Sequence, residues 1–203
     1  MKTVTGLFDD YSDASTAVRA LEARGIPSDD ISIVSNNADG RYKDGDHETN
    51  AAEGAGTGAG IGAVVGGAGG LLTGLGIMAI PGVGPVVAAG WLAATALGAV
   101  GGAVAGGAAG GLIGAMTASG VPEDHAHVYA EGVRRGGTLV TAKVEDHLQP
   151  EAEAILKQSN WVDPDERRTA YSQQGWTNFD ETAEPFGPAE IEQERGRYPR
   201  RTL

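Results

Sequence analysis

Charge is what a third of this sequence lacks, because none of the 42 acidic and basic side chains lies between residues 54 and 122. Cysteine is absent from all 203 residues, which excludes a disulfide framework and a thiolate metal site. A basic face is missing too, since the formal net charge is -12 and a general nucleic-acid binder needs positive charge to displace counterions from phosphates. We therefore expect no nucleic-acid partner.

The segments on both sides of the uncharged stretch have the pattern of a small mixed domain. Residues 3–8 and 31–34 predict two strands, and the apolar spacing of Ala14, Val18 and Leu21 between them predicts a helix. The polar run that follows, up to residue 53, predicts a linker. The sequence therefore begins as a β-α-β unit.

Beyond the uncharged stretch the same alternation resumes. Pro122 predicts the start of a helix that ends before Gly136. Residues 138–144 predict a strand, and Pro150 opens a last helix that closes near Asn160. We expect the two halves to join into one sheet covered by helices.

The fold class that follows is α+β: a small β-α-β / α-β-α sandwich domain with a ferredoxin-like tendency, interrupted by a long Gly/Ala-rich antiparallel helical hairpin. Four parts are predicted, and their boundaries are 1–50 (first half and linker), 51–119 (hairpin), 120–163 (second half) and 164–203 (a polar-aromatic tail, partly disordered).

Glycines recur every fourth residue in two runs of the uncharged stretch, which holds 23 of the 33 glycines. Each glycine inside a helix costs about 1 kcal/mol relative to alanine, and close packing of helices offsets that cost where small residues repeat at this spacing. The predicted helix-packing and oligomerisation residues are Gly54, Gly58, Gly62, Gly66, Gly70, Gly74, Gly98, Gly102, Gly106, Gly110 and Gly114.

Between the two glycine runs lies a strong break, formed by Pro81, Gly82, Gly84 and Pro85. Folding the chain there makes two antiparallel helices whose glycine runs face each other. A four-residue step turns about 400°, so each stripe drifts roughly 40° per step and one straight partner cannot cover it. We therefore expect the hairpin to oligomerise, with a second copy of this chain as its partner.

Two environments suit such a hairpin. A helix over residues 54–80 would be about 40 Å long, enough to cross a hydrocarbon core of about 30 Å. The first expectation is therefore a lipid bilayer as partner and the inner (cytoplasmic) membrane as location, with both ends on the cytosolic side, because the N-terminus lacks a signal peptide. The alternative is a cytoplasmic assembly, a ring, cage or filament, in which the hairpins bury each other.

Catalytic and ligand-binding patterns are weak in this chain. The run 58–63 fits the glycine pattern of a dinucleotide site, but no strand leads into it. His125 and His127 lie two residues apart and so point to different faces of a helix, and the acidic residues Asp9 to Asp13 are explained by helix capping. We expect no catalytic residue, no cofactor and no metal site.

The last forty residues carry aromatic side chains among polar ones. Tyr171, Trp176 and Phe179 are interpreted either as part of a disordered or surface-draped extension or as a docking strip for a protein partner.

The flanking segments resemble a bacterial general stress protein domain of the heat-induced YflT type. The resemblance rests on these runs: VTGLFD at 4–9, AVRALEARG at 17–25, ISIV at 31–34, GVPED at 120–124, YAEGVRRGGTLV at 129–140, WVD at 161–163 and ERR at 166–168. It spans roughly residues 3–168 with the glycine-rich stretch as an insertion. The resemblance implies a stress-related protein without known chemistry and carries over no functional residue.

The sequence as a whole predicts a non-enzymatic general stress protein that is membrane-associated and oligomerises through its glycine-zipper hairpin. The alternative is a self-assembling structural module without a membrane.

Overall fold

The computed structural model describes residues 1–40, 76–101 and 111–198, with the backbone alone at 97–101. Its strands and α-helices follow in chain order: β1 (Lys2–Phe8), α1 (Tyr11–Ala23), β2 (Ile31–Asn36), β3 (Gly76–Ile80), β4 (Gly84–Ala89), α2 (Trp91–Gly101), α3 (Leu112–Ala118), α4 (Glu123–Arg134), β5 (Thr138–Val144), α5 (Gln149–Gln158), α6 (Pro164–Ser172) and α7 (Pro188–Arg195). The predicted α+β class is confirmed.

The strands form one antiparallel sheet in the order β1-β5-β2-β4-β3. Because β5 pairs antiparallel with both β1 and β2, those two strands run parallel to each other, with α1 as the connection between them. This is a split β-α-β unit, the element of a ferredoxin-like arrangement. Strands from before and after the uncharged stretch share the sheet, as predicted.

Side-chain alternation along the strands sorts the apolar residues into two cores, one on each face of the sheet. Leu7 and Leu139 lie in the core covered by α2, α3 and α4. Their neighbours Phe8 and Val140 lie in the core covered by α1 and α5. All four side chains are fully buried, so both faces of the sheet are packed.

The outer helices form where the sequence predicts them. Ala14, Val18 and Leu21 of α1 are fully buried, and Gly25 ends that helix in a left-handed conformation with φ of 86°. Pro122 takes the N-cap position of α4, one residue before the predicted start.

The predicted helical hairpin is wrong for residues 76–89, which form the antiparallel strands β3 and β4. The chain does reverse at Pro81, Gly82, Gly84 and Pro85, but it closes a β-hairpin in which Ile80 pairs with Gly84. β-Branched residues suit a half-buried sheet, and β4 finds a partner in β2.

Residues 83–96 and 111–121 of the uncharged stretch are built into the domain. Val86, Leu92 and Met116 are at most 1% exposed and belong to the core that also holds Leu7. Helices α2 and α3 pack against each other and α3 packs on α4. These three side chains are therefore covered by protein and do not face lipid. In the parts of the chain that are described, no helix combines the length and the apolar character needed to cross a bilayer.

The turn of the β3–β4 hairpin lies against the C-terminal region. A Cβ placed on Gly82 would collide with the backbone of Asp180 and Glu181, and one placed on Gly84 would collide with Pro185. The predicted apex of a membrane hairpin is thus packed under a polar loop of the same chain.

The expected tail is helical and packed over its described residues, 164–198. Tyr171 is fully buried, Phe179 is 8% exposed and joins the core beneath α4, and Ile191 of α7 is 2% exposed. Trp176 is half-buried and its ring packs edge-to-face on that of Tyr171. These aromatic side chains contact their own domain, which sequence periodicity did not reveal because the residues between the helices are polar.

Candidate functional site

The predicted glycine site falls mostly outside the described residues. Gly98 lies in α2 and Gly114 in α3. The others lie in the parts that the structure does not describe: Gly54, Gly58, Gly62, Gly66, Gly70, Gly74, Gly102, Gly106 and Gly110. Helix packing and oligomerisation through these glycines stay a prediction.

Buried charge concentrates where α4, α6 and α7 meet the end of β1, in a group of side chains that we call the arginine cluster: Asp9, Glu131, Arg135, Arg167 and Glu194. Glu131 is 1% exposed and the other carboxylate from a helix, Glu194, is 5% exposed. Charged groups are found at such depth when they are paired and hydrogen-bonded.

Arg135 is the centre of this cluster. Its Nε donates to Glu131 Oε1 over 2.6 Å, and its Nη1 donates to Glu194 Oε1 over 2.9 Å and to Gln174 Oε1 over 2.7 Å. The guanidinium also lies 4.1 Å from the ring centroid of Tyr171. Burial lowers the pKa of Arg135, but the hydrogen bonds with Glu131 and Glu194 and the negative charge of Glu131 help to outweigh it and leave the pKa raised. The side chain therefore stays cationic and joins α4, α6 and α7.

Arg167 of α6 makes the second connection, to the end of β1. It donates two parallel hydrogen bonds to Asp9, of 2.8 and 2.7 Å, which is the bidentate geometry that makes arginine–carboxylate pairs strong. Burial lowers its pKa, but the hydrogen bonds and negative charge of Asp9, together with the interactions with Tyr171, outweigh it and leave the pKa raised. The Tyr198 ring stacks on the guanidinium, with its centroid 3.7 Å from Cζ.

Tyr171 fills the space between the two guanidinium groups. Burial raises the pKa of its hydroxyl, and the charges of Arg167 and Arg135 oppose this without cancelling it. The side chain therefore stays neutral at physiological pH and acts as an apolar wall for both cations.

A cleft of about 320 Å³ opens beside the cluster, lined among others by Asp9, Asp13, Trp161 and Tyr198. Its carboxylates have partners within the chain. Asp9 is held by Arg167, Asp13 accepts a 3.5 Å hydrogen bond from Asn160, and Asp163 caps α6 by accepting from the backbone N–H groups of residues 165 and 166. The arrangement fixes the C-terminal helices on the domain.

The acidic residues and histidines singled out in the sequence lie at a helix end or near a carboxylate of the same chain. Asp10 stands at the N-cap of α1 without a side-chain capping bond. His125 lies 3.5 Å from Asp165, and His127 lies 4.0 Å from Glu123. Within residues 1–40, 76–101 and 111–198, no three histidine or carboxylate side chains come together in a way that would hold a metal ion.

Two sequence signals point to the helices that form the cluster. Asp163, Pro164 and the two acidic residues that follow have the pattern of a helix N-terminus, and Asp163 does cap α6. Glu131 and Arg135 are four residues apart on a predicted helix, a spacing that favours an ion pair. The contacts with Asp9 and Glu194 join residues 158 and 59 positions apart, and no local pattern reports them.

Residues 3–83 of the chain match the family model of the heat-induced stress protein YflT domain. No curated protein and no solved structure matches the chain. The match contains β1, α1, β2 and β3 and ends in the turn before β4, so it covers less than half of the chain and does not reach the runs after residue 120. The resemblance to this family is thereby confirmed for the first part of the chain, residues 3–83.

Proposed function

We propose that this chain is a non-enzymatic stress-response protein that acts by associating with other copies of itself through its uncharged stretch. The family match supports the connection to stress. The observation that carries self-association is the distribution of charge, because residues 54–122 hold none of the 42 charged side chains. Two copies with a net charge of -12 each repel one another over most of their surface, and this stretch is where they can approach without that repulsion.

A structural role for the folded domain is supported by how it uses its charges. The buried carboxylates Glu131 and Glu194 and the cleft carboxylate Asp9 are bound to arginines. Enzymes instead leave acids and bases directed at a substrate. The domain is then a folded support for the uncharged stretch.

The bilayer is the weaker candidate partner. Lack of charge suits both lipid and protein surroundings, but lipid contact also needs apolar side chains that face outward. Val86 and Leu92, from the most apolar part of the stretch, are buried inside the domain. Protein contact through closely spaced glycines needs no such side chains.

The proposal is tested by measuring the mass of the whole protein with light scattering after gel filtration, without lipid or detergent. We expect assemblies in the unaltered protein and smaller species in Gly66→Leu and Gly102→Leu, because a bulky side chain holds packed helices apart. Gly196→Leu is the matched control, since Gly196 has an ordinary φ of -62° and is exposed outside the stretch. Its mass should equal that of the unaltered protein.

Flotation with vesicles of phosphatidylcholine and phosphatidylglycerol separates the two partners. Assemblies without lipid that the two glycine variants dissociate support the proposal. A monomer that floats with vesicles would assign the stretch to the bilayer instead, and a monomer that stays unbound would overturn both assignments.

A further inference from the structure

Strand β3 forms one edge of the described sheet, and no other described strand pairs with its outer side. The strand order ends at β3, and Gly76, Ile77 and Ala79 are exposed. Ile77 and Met1 are the large apolar residues that stand exposed within the described ranges, Ile77 at 38%. An edge strand presents unpaired backbone N–H and C=O groups at every second residue.

The opposite edge of the sheet is protected, whereas among residues 1–40, 76–101 and 111–198 no segment bridges to the outer side of β3. At β1, the carbonyl of Leu7 accepts a 2.8 Å hydrogen bond from the backbone N–H of Val162, which forms a bridge there, and Lys2 places a charge on the strand. Charged residues, prolines and covering segments are the usual devices that stop edge strands from pairing. The sequence of β3, GIMAI, contains neither charge nor proline.

We propose that the β3 strands of two copies of this chain pair antiparallel about a two-fold axis at Met78 and so join two sheets into one. The proposal rests on the self-association proposed above but not on its glycine stripes, and it names a separate contact surface. In this register Ile77 lies opposite the partner's Ala79, and Met78 lies opposite its own counterpart.

A second copy is the occupant that the chemistry of the edge favours. The pair brings no like charges together, although each chain carries -12, and the antiparallel two-fold arrangement places equivalent faces of the two sheets side by side. Met78 packs partly against the core beneath α2 and α3, so each copy would add its Met78 to the edge of the other copy's core. The exposed Ile77 would gain a cross-strand neighbour.

The acidic residues described beside the turn of the β3–β4 hairpin do not oppose this pairing. Asp180 and Glu181 contact the turn at Gly82, four residues from the two-fold axis. In an antiparallel pair the two turns point away from each other and lie about 27 Å apart at about 3.4 Å per residue. That separation is well beyond the Debye length of about 8 Å at physiological salt.

Five paired residues bury less than the roughly 1,200 Å² of a standard interface, so we expect weak dimers, with a Kd in the range of about 10 to 100 µM. Sedimentation equilibrium measures this Kd for Ile77→Lys and for Ala79→Glu, each of which puts a charge at the edge. Each variant alone should dimerise at least tenfold more weakly. An equal mixture should regain affinity, because the register sets the new lysine of one copy against the new glutamate of the other.

The matched control is Ala154→Lys, which adds the same charge at an exposed position of α5, outside the uncharged stretch, and should leave the Kd unchanged. Unchanged dimerisation in Ile77→Lys, or a mixture that fails to regain affinity, would overturn the pairing. Amide hydrogen exchange of the unaltered protein gives a check that needs no variant: outward N–H groups of β3 should exchange more slowly at high protein concentration. Concentration-independent exchange would equally overturn it.

The edge pairing and the glycine contact are distinguishable. If Gly66→Leu dissociates the assemblies and Ile77→Lys does not, the glycine contact stands and the edge pairing falls. The reverse result keeps the edge pairing and removes the glycine stripes from the proposed function.

Discussion

Replacing Arg135 by methionine removes the cation that links α4, α6 and α7 while keeping a long apolar side chain. Two carboxylates, on Glu131 and Glu194, then remain buried without their closest donor. At an effective dielectric constant of about 20, each pair of charges about 4 Å apart is worth roughly 4 kcal/mol before desolvation. Removal of one partner from a buried pair costs about 3–5 kcal/mol.

Two neighbouring cations reduce the cost. Arg134 lies 3.4 Å from Glu131 and Arg197 lies 3.5 Å from Glu194, so each carboxylate keeps one partner. We therefore expect Arg135→Met to lower the free energy of unfolding by about 3 kcal/mol, the lower end of the range. This corresponds to a decrease of about 100-fold in the ratio of folded to unfolded protein.

Urea unfolding at pH 7, followed by circular dichroism, measures this loss. The control is Arg19→Met on the exposed side of α1, for which we expect a change within about 0.5 kcal/mol. Adding Glu194→Gln to Arg135→Met should recover part of the stability, since it removes a buried charge that has lost its closest partner. A loss below about 1 kcal/mol in Arg135→Met, or no recovery in the double variant, would refute the role given to the cluster.

Three further changes test other parts of the fold by urea unfolding. The pKa of Tyr171 in the folded protein is raised above the 10.0 of an exposed tyrosine, so the stability that its neutral hydroxyl contributes is complete below pH 10 and is lost as the pH rises. Between pH 9 and pH 11 the free energy of unfolding of Tyr171→Phe should therefore fall by about 1.4 kcal/mol less than that of the unaltered protein. Equal decreases would show that the hydroxyl is not shielded. Gly90→Ala should lower the free energy of unfolding by more than about 2 kcal/mol, because φ is 89° and the added Cβ would overlap the carbonyl oxygen of Ile31. The control Gly25→Ala, with φ of 86° and open space around the added Cβ, should lower it by only about 1 kcal/mol. Similar losses in both variants would contradict the close approach at Gly90. Ile191→Ala should cost about 2–4 kcal/mol because its side chain is 2% exposed, and a loss below about 0.5 kcal/mol would mean that α7 does not belong to the folded domain.

The outer elements of the fold were predictable because their signals are local. In α1 and α4 the apolar residues recur at helical spacing, and glycines end both helices. The side chains of residues 138–144, which form β5, point alternately to the two packed faces of the sheet. For these elements, the spacing of the apolar residues and the positions of the helix-ending glycines agree with the tertiary structure.

The β3–β4 hairpin was missed because glycine and alanine fit both the helical and the strand pattern, and the regular glycine spacing favoured helices. Ile77, Ile80, Val86 and Val87 carried the opposite signal, since β-branched residues flank a Pro-Gly turn there. Pairing with β2, which no local pattern reports, decides between the two structures.

The arginine cluster was only half visible in the sequence. The pair Glu131 and Arg135 lies within one helix and its spacing could be recognised. Asp9, Arg167 and Glu194 come from distant elements and meet only after the sheet has formed. Long-range ion pairs of this kind depend on the fold and leave no local pattern in the sequence.

The central claim, that copies of this chain associate, is tested most directly by sedimentation velocity of the unaltered whole protein from about 1 to about 100 µM without lipid. The account predicts that the weight-average sedimentation coefficient rises with concentration above the value for a monomer of 20.6 kDa. A monomer at every concentration in this range would contradict it.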